Sequence, residues 1–390
     1  MNILFISFDS DPPNCGGVAT VASILANYFI SKGHTCSLGF PFNSEYPSDI
    51  FKNKILINKK NTHQISEFFK TNRFDIALVM LPINLDYKLL KKHINPDCKI
   101  ISAYHSKPML HSFSIEVIAR ELDTKRGMLY KIYTYTKYLM LPYYFSTFKI
   151  SELLKINTIN QKSDIILLLS ERYFKNWEKL SFNFDKSKLF AINNPKLYED
   201  FISNEEFEKK EKILLAVCNF ESIKRIHIMV EIWEQIEKNE LLKDWEFQLI
   251  GSGFLMKKIQ QLIEKKNLER IFLLGTKNPS ENYKKSKIII NTSKTEGWPL
   301  SITEAQQMGV VPITFDSFEA VHEMIKDNFS GIIVKNNDKK AFVKRLEKLM
   351  IDNARIDILA KNAIVASKKI NNQEIFNTYL NLFEKLSLNK

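Results

Sequence analysis

Two glutamates separated by seven residues, Glu296 and Glu304, have the type and spacing that most clearly indicate chemistry in this chain. They belong to the segment Glu-Gly-Trp-Pro-Leu-Ser-Ile-Thr-Glu, which follows an apolar run at 288–293, so Glu296 is expected at a strand-to-helix turn. The amides of Leu300 and Ser301 then lie at the start of a helix, where unpaired N–H groups and the peptide dipoles favour a phosphate. A carboxylate beside a phosphate suits neutral hydroxyls such as a ribose diol. Taken alone, either glutamate could instead be a helix cap or a surface residue.

Glycine is scarce in this chain, so the positions that keep it are informative. There are 11 glycines, against roughly 27 at the usual frequency of ~7%. Six fall between 251 and 331, namely Gly251, Gly253, Gly275, Gly297, Gly309 and Gly331. This cluster suggests backbone that lies close to a ligand or adopts a left-handed conformation. Gly16 and Gly17 open a helical pattern at 17–31 and are expected to approach a substrate, with a plain helix-start turn as the alternative.

His105 directly follows a buried strand pattern at 98–104. Ligands bind at the carboxyl ends of strands in open α/β sheets, so His105 is a candidate site residue, although a structural hydrogen bond is the ordinary role of such a histidine. Lys107 is a weaker candidate, for contact with an acceptor only.

No metal site is expected. Asp9-Ser10-Asp11 has the D-x-D form that binds a metal–nucleotide complex in another fold, but here it follows the first strand of a doubly wound pattern. The four cysteines are scattered, without the spacing of metal ligands or of a disulfide framework.

The elements that must position these residues alternate between short apolar strands and amphipathic helices, which is typical of βαβ units. Strands are predicted at 2–8, 35–40, 74–80, 98–104, 164–169, 188–192, 212–217, 245–250, 270–274, 286–291, 310–315 and 331–334. We therefore expect an α/β protein in which two Rossmann-like doubly wound domains face each other across a cleft. The domains are predicted at 1–195 and 205–370, and a helix at 371–390 is expected to cross back to the first domain.

Composition excludes several classes of protein. With 45% hydrophobic and 26% charged residues, the chain is neither disordered nor fibrous, and no run of about 18 apolar residues indicates a polytopic membrane protein. Its first residues read as a buried strand and not as a signal sequence, and the scattered cysteines fit a reducing cytoplasm.

The formal net charge of +12 raises the question of an anionic partner. The segment 124–151 has five basic residues, no acidic residue and eight interleaved tyrosines and phenylalanines. It is either an ordinary helix, a nucleic-acid patch or a contact with an anionic membrane surface. No nucleic-acid recognition motif accompanies this segment, so no nucleic acid is expected as a partner. Peripheral contact with a membrane is favoured over nucleic-acid binding.

The spacing E-x(7)-E, with Glu-Gly-Trp-Pro-Leu-Ser and a following Glu-Ala-x-x-x-Gly, resembles the signature of the retaining GT-B glycosyltransferases of the bacterial group 1 type. The segments 249–253, 272–276, 311–316 and 331–334 extend this resemblance over about 211–350, and the Gly16-Gly17 pair also fits. The resemblance implies two domains of the GT-B type and transfer of a sugar from a nucleotide donor. UDP is the expected nucleotide, with no cofactor and no metal.

The resemblance also implies roles for individual residues. Glu296 would contact hydroxyls of the donor sugar, Glu304 the ribose and Lys224 the donor diphosphate. Asn219 stands where the family most often has arginine, so one cation is missing or is supplied by Arg225. His105, Glu296 and Lys224 form the expected catalytic group. The expected donor site comprises Gly16, Gly17, Asn219, Lys224, Arg225, Gly251, Gly275, Thr276, Glu296, Gly297, Trp298, Pro299, Leu300, Ser301 and Glu304.

The implied reaction retains the configuration at the anomeric carbon. No carboxylate stands out as a covalent nucleophile, so we expect a front-face transfer in which the leaving phosphate accepts the proton of the acceptor. Resemblance to bacterial enzymes of surface polysaccharide synthesis implies a saccharide acceptor on a polyprenyl carrier, at the cytoplasmic face of the membrane. The alternatives are a soluble glucan or small-molecule acceptor, and a non-catalytic module that binds nucleotide sugars.

Overall fold

The structure, a computed structural model, describes residues 1–10, 16–42, 47–108, 141–181 and 184–388. In the helix that begins at residue 141, side chains are described from residue 150 onward. The described residues form two α/β domains, each built on a parallel sheet.

The sheet of the first domain has the strand order β3-β2-β1-β4-β5-β6-β7. Its strands are β1 Asn2–Ile6, β2 Thr35–Phe40, β3 Asn53–Leu56, β4 Ile76–Val79, β5 Lys99–Tyr104, β6 Ile165–Leu168 and β7 Leu189–Ala191. Its described helices are α1 Gly17–Ser31, α2 Thr62–Thr71, α3 Tyr87–His93, α4 Leu141–Lys162 and α5 Phe174–Leu180. The order reverses between β1 and β4, and ligands bind at the carboxyl ends of the strands at such a switch point.

The sheet of the second domain has the equivalent order β10-β9-β8-β11-β12-β13. Its strands are β8 Ile213–Val217, β9 Glu246–Ile250, β10 Ile271–Leu273, β11 Ile288–Asn291, β12 Val311–Asp316 and β13 Ile332–Lys335. The helices are α6 Asn204–Glu208, α7 Ile226–Glu237, α8 Met256–Lys265, α9 Ser280–Lys285, α10 Leu300–Gln307, α11 Val321–Met324, α12 Lys339–Ile351, α13 Asn353–Lys368 and α14 Asn372–Leu388.

The central strands are apolar along their whole length because helices cover both faces of each sheet. In β4 and β6 every residue is buried, and in β11 the run Ile288, Ile289 and Ile290 is buried up to Asn291. Continuous burial is the pattern of a parallel sheet and differs from the alternation of a half-exposed antiparallel one.

Helix α14 lies against the first domain. Its Phe376 stacks on Tyr28 of α1 with ring centroids 4.1 Å apart, and Phe383 lies 5.4 Å from Phe29. The side-chain amide of Gln373 donates to the Tyr28 hydroxyl at 2.7 Å. The chain therefore passes from the first domain to the second and returns to the first, so two segments of the chain connect the domains.

Several short elements were not predicted from the sequence, β3 and α9 among them. β3 is a four-residue edge strand whose pattern has too few apolar residues to stand out, and it is defined by its pairing with β2. α9 is a short helix in a polar, lysine-rich stretch, yet it carries the fully buried Tyr283. Among the described residues, no helix is both long and apolar enough to span a bilayer.

Candidate active site

A cavity of about 530 Å³ lies between the two domains. The first domain contributes the start of α1 and the residue after β5, and the second contributes the loops that follow β8, β9, β10 and β11. These loops lie at the carboxyl ends of parallel strands, where open α/β sheets bind their ligands.

Most of the residues expected in the donor site line this cavity. They are Gly16, Gly17, Asn219, Lys224, Gly251, Thr276, Glu296, Gly297, Trp298, Pro299, Leu300, Ser301 and Glu304, and His105 of the expected catalytic group lines the cavity with them. Arg225 and Gly275 are not among the lining residues. The carbonyl of Gly275 accepts a hydrogen bond from the amide of Gly251 at 2.8 Å, so Gly275 supports a cavity residue from outside.

Gly297 lies where the two domains meet at the cavity. A Cβ atom added to Gly297 would lie 2.5 Å from the carbonyl oxygen of His105 and 2.9 Å from Leu169 Cδ1. No real Cβ atom tolerates such a distance to a backbone oxygen, so only glycine allows the loop that carries Glu296 to meet the end of β5. This contact brings His105 and Glu296 to one cavity.

Tyr173 of the first domain holds the same loop. Its side chain is fully buried, and its hydroxyl lies 3.0 Å from the carbonyl oxygen of Glu296 and 2.9 Å from that of Gly297. The side-chain amide of Asn194 donates to the carbonyl of Trp298 at 3.3 Å. The backbone at 296–298 is therefore fixed by side chains from the other side of the cleft.

Lys224 and Glu296 form an ion pair inside the cavity. The Lys224 Nζ to Glu296 Oε1 distance is 2.7 Å, and the two side chains are 23% and 11% exposed. Burial opposes the positive charge of Lys224, but the adjacent carboxylate outweighs it, so the pKa of Lys224 is raised above its ordinary value. The structure thus brings together two of the three residues of the expected catalytic group in direct contact.

Arg225 does not replace the missing cation, which corrects that alternative. Its guanidinium donates to the carbonyls of Thr292 at 2.6 Å and Ser293 at 2.8 Å, and also bonds to Asn336 and Asn337. The side chain is 9% exposed and points into the base of the loop between β11 and α10. Arg225 consequently anchors the segment that leads to Glu296, and Asn219 alone occupies the cavity at the position that is usually basic.

Glu304 is buried on α10 and faces the cavity. The Tyr283 hydroxyl of α9 donates to Glu304 Oε2 at 2.8 Å. Burial raises the pKa of Glu304 to about 7, and the hydrogen bond from Tyr283 only partly opposes this. An acceptor-rich carboxyl group in such a site suits a pair of neutral hydroxyls.

His105 is neutral at physiological pH. Burial lowers the pKa of His105 to about 4, against a smaller opposing effect of the Asn194 side chain. Neither ring nitrogen has a hydrogen-bond partner of good geometry among the described residues. Unpaired buried polar atoms are uncommon in folded proteins, so His105 stays a candidate for contact with a ligand.

The first turn of α10 faces the cavity at Leu300 and Ser301, and no side chain caps this helix end. Free amides and the helix dipole make this end suitable for an anion. Within the described ranges, no cluster of three or more histidine, cysteine or acidic side chains could hold a metal ion.

The D-x-D segment and Lys107 have other partners. Asp9 accepts from the Ser48 amide and from Lys54 Nζ, each at 3.0 Å, while Asp11 lies outside the described residues. Lys107 Nζ lies 2.8 Å from Glu319 Oε1 of the second domain, beside a neighbouring cavity. Its contact with an acceptor stays a prediction.

Sequence reasoning missed several cavity residues. They are Val18, Thr20, Asn194, Leu197, Tyr198, Val217, Cys218, Ile250, Lys277, Asn278 and Pro279. Lys277 and Asn278 follow a predicted strand at the ligand-binding edge, so that position was a usable signal. Tyr173 gave no signal, because its role depends on a residue 123 positions further along the chain.

Comparison with known proteins agrees with this geometry. Residues 198–369 match the family model described as Glycosyl transferases group 1. The chain is 27% identical over 241 residues to a poly(ribitol-phosphate) alpha-N-acetylglucosaminyltransferase of Staphylococcus aureus (strain COL), a match that covers 60% of this chain and 47% of that protein.

A second relative is a GalNAc-alpha-(1->4)-GalNAc-alpha-(1->3)-diNAcBac-PP-undecaprenol alpha-1,4-N-acetyl-D-galactosaminyltransferase of Campylobacter jejuni subsp. jejuni. It is 25% identical over 193 residues, which cover 50% of this chain and 54% of that protein. The chain thus spans about half the length of these curated relatives.

The fold matches that of Anabaena Alr3699/HepE, whose crystal structure is in complex with UDP and glucose. The TM-score is 0.73 at 12% identity, with 99% of this chain and 100% of that chain covered. Two parallel α/β domains that share one cavity give the chain the GT-B fold, and the second of these domains matches the family of group 1 glycosyltransferases.

Proposed function

We propose that this chain transfers a hexose or N-acetylhexosamine from a UDP-linked donor to a saccharide acceptor, with retention at the anomeric carbon. The observation that carries this proposal is the convergence of Lys224, Glu296, Glu304 and the start of α10 on one interdomain cavity. The relatives act, by their names, on a poly(ribitol-phosphate) and on an undecaprenol-linked saccharide, and the HepE structure holds UDP and glucose.

The donor would lie along the second domain. Its diphosphate would accept hydrogen bonds from the amides at the start of α10 and from Lys224, and its ribose would reach Glu304. Glu296 would then face the sugar hydroxyls from one side and His105 from the other. Positive charge and fixed dipoles beside the departing diphosphate stabilise the transition state, an effect worth about 3 to 4 kcal/mol for a single well-placed donor.

The proton of the acceptor hydroxyl would pass to the leaving phosphate in a front-face transfer. The carboxylates of the described cavity lining are Glu296 and Glu304, and we assign them to the hydroxyls of the sugar and of the ribose, which leaves no carboxylate to form a covalent intermediate. We propose that this chemistry needs no bound metal.

A lipid-linked acceptor at the cytoplasmic face of the membrane is the favoured substrate. Residues 124–140 of the basic aromatic segment 124–151 lie outside the described residues. Of the rest of this segment, only the side chains of residues 150 and 151 are described. On α4, Ile150 is 57% exposed and Leu154, one turn later, is 61% exposed. Two exposed apolar side chains beside a basic segment support contact with an anionic bilayer.

The test is donor turnover by the purified chain. UDP release from a panel of UDP-hexoses and UDP-N-acetylhexosamines, with and without a polyprenyl-diphosphate saccharide, measures activity and acceptor dependence. Proton NMR of the product then reports the anomeric configuration. Tight binding of UDP with neither transfer nor hydrolysis would instead favour a non-catalytic module, and turnover only with soluble glucan would favour that alternative acceptor.

Membrane contact is tested separately. Co-sedimentation with phosphatidylglycerol vesicles that high salt abolishes is the expected result, with neutral phosphatidylcholine vesicles as the control. Absence of binding to the anionic vesicles would contradict the membrane proposal and leave the transfer reaction untouched.

A further inference from the structure

The ion pair between Lys224 and Glu296 conflicts with the tasks that the proposed function gives to these residues. Lys224 is assigned to the donor diphosphate and Glu296 to the sugar hydroxyls, yet the two side chains bond to each other at 2.7 Å. A lysine whose charge is matched by a carboxylate attracts an anion less, and the carboxylate itself repels a diphosphate.

The other charged groups of the cavity cannot relieve this conflict. Among the described lining residues, the cations are Lys224 and Lys277, and Lys277 is exposed in the loop after β10. Asn219 is neutral, and the Arg225 guanidinium is bonded to backbone carbonyls outside the cavity. Lys224 is therefore the less exposed cation of the described lining, and its charge is matched by Glu296.

Glu296 has a second neighbour that would hold it once Lys224 is lost. The side-chain amide of Asn291, at the end of β11, lies 3.4 Å from Glu296 Oε1. The backbone of Glu296 is fixed by the Tyr173 hydroxyl, so its side chain can rotate while the loop stays in place. By contrast, Glu304 is held by Tyr283 and has no cation beside it in the described cavity.

On the basis of the proposed function, we propose that the donor diphosphate exchanges partners within this pair. The diphosphate takes Lys224, and the released Glu296 carboxylate turns to the hydroxyls of the donor sugar. The exchange breaks only ionic hydrogen bonds, with no covalent step. It makes recognition of the sugar conditional on the diphosphate, because Glu296 is neutralised by Lys224 until the diphosphate arrives.

The exchange predicts that removing the charge of Glu296 strengthens binding of UDP. Isothermal titration calorimetry with UDP compares wild type, Glu296→Gln, Lys224→Met and the double variant. We expect Glu296→Gln to bind UDP at least about fivefold more tightly, the lower end of ordinary coupling between two groups. In the Lys224→Met background, the same substitution should strengthen UDP binding much less, because it then removes only the repulsion between the carboxylate and the diphosphate.

Two controls accompany this cycle. Uridine, which has no diphosphate, should bind wild type and Glu296→Gln equally. Glu234→Gln removes a partly exposed carboxylate from an ion pair with Lys266 elsewhere in the second domain, and should leave UDP affinity unchanged. Should Lys224→Met fail to fold, Lys224→Gln takes its place in the cycle.

Each outcome separates the exchange from its alternatives. If Glu296→Gln tightens UDP binding equally in both backgrounds, simple repulsion explains the effect and the exchange is wrong. Unchanged or weaker UDP binding by Glu296→Gln also overturns the exchange. The proposed function would still hold in that case if the wild-type protein transfers the sugar. If the wild type neither binds UDP nor turns over any UDP-sugar, the proposed function fails and the exchange fails with it.

Discussion

The buried carboxyl of Glu304 should make the stability of the second domain depend on pH. Burial raises its pKa from 4.5 to about 7. Between these two values the folded state keeps a proton that the unfolded state has lost, so stability falls as the pH rises through this window and the loss is complete above pH 7. The full effect is about 3 kcal/mol, from about 1.4 kcal/mol for each pH unit.

Glu304→Gln removes this penalty, because the amide has nearly the same shape and no charge. We expect the variant to exceed the wild type in free energy of unfolding by up to about 3 kcal/mol at pH 8 and by less than about 1 kcal/mol at pH 5. Urea unfolding followed by tryptophan fluorescence measures the difference, since Trp233 and Trp245 are buried in the second domain.

Glu240→Gln makes the same chemical change at an exposed position of the same domain, and its stability should follow the wild type at both pH values. An equal difference for Glu304→Gln at pH 5 and pH 8 would refute the reasoning, because a pH-independent effect reports packing and not ionisation. A less stable variant at pH 8 would show that the carboxylate is favoured by the fold and that burial does not dominate.

Three further substitutions test how the loop around Glu296 is held. Tyr173→Phe removes one hydroxyl and keeps the ring. We expect kcat to fall about tenfold, which corresponds to one lost orienting contact of about 1.4 kcal/mol, while the UDP affinity measured by calorimetry stays unchanged. A tenfold loss of UDP affinity would contradict this role. Gly297→Ala places a Cβ 2.5 Å from the His105 carbonyl oxygen. Steady-state kinetics should therefore show a loss of sugar transfer, while UDP binding is largely retained. Full transfer activity would contradict the close approach of the two loops. Arg225→Lys loses the planar guanidinium that bonds two carbonyls, so thermal melting should show a destabilisation of about 1 to 3 kcal/mol. Unchanged stability with weaker UDP binding would instead indicate that Arg225 contacts the donor.

Much of the architecture could be predicted from the sequence. The apolar runs of β4, β6 and β11 are continuous because both faces of a parallel sheet are covered, and that pattern is readable without coordinates. The carboxyl ends of such strands converge, so residues that directly follow them were candidates for one site. Most of the predicted donor-site residues do line the cavity, although which ligand they hold stays a prediction.

The sequence did not predict which way individual side chains point. Lys224 and Arg225 are adjacent and both basic, yet one faces the cavity and the other the base of a loop. Arg225 has a φ of 51°, and this left-handed backbone at the start of α7 turns its side chain away from that of its neighbour. Nothing in the two residue types distinguishes them.

The sequence by itself determined the alternation of strands and helices, because hydrophobic periodicity depends on neighbours a few residues away. Only the tertiary structure decided the partners of the reactive groups: Lys224 with Glu296, Tyr173 with the backbone at 296–297, and Tyr283 with Glu304. These pairs join residues that are 72, 123 and 21 positions apart. The charge states of Lys224 and Glu304 follow from burial and proximity, which exist only once the chain has folded.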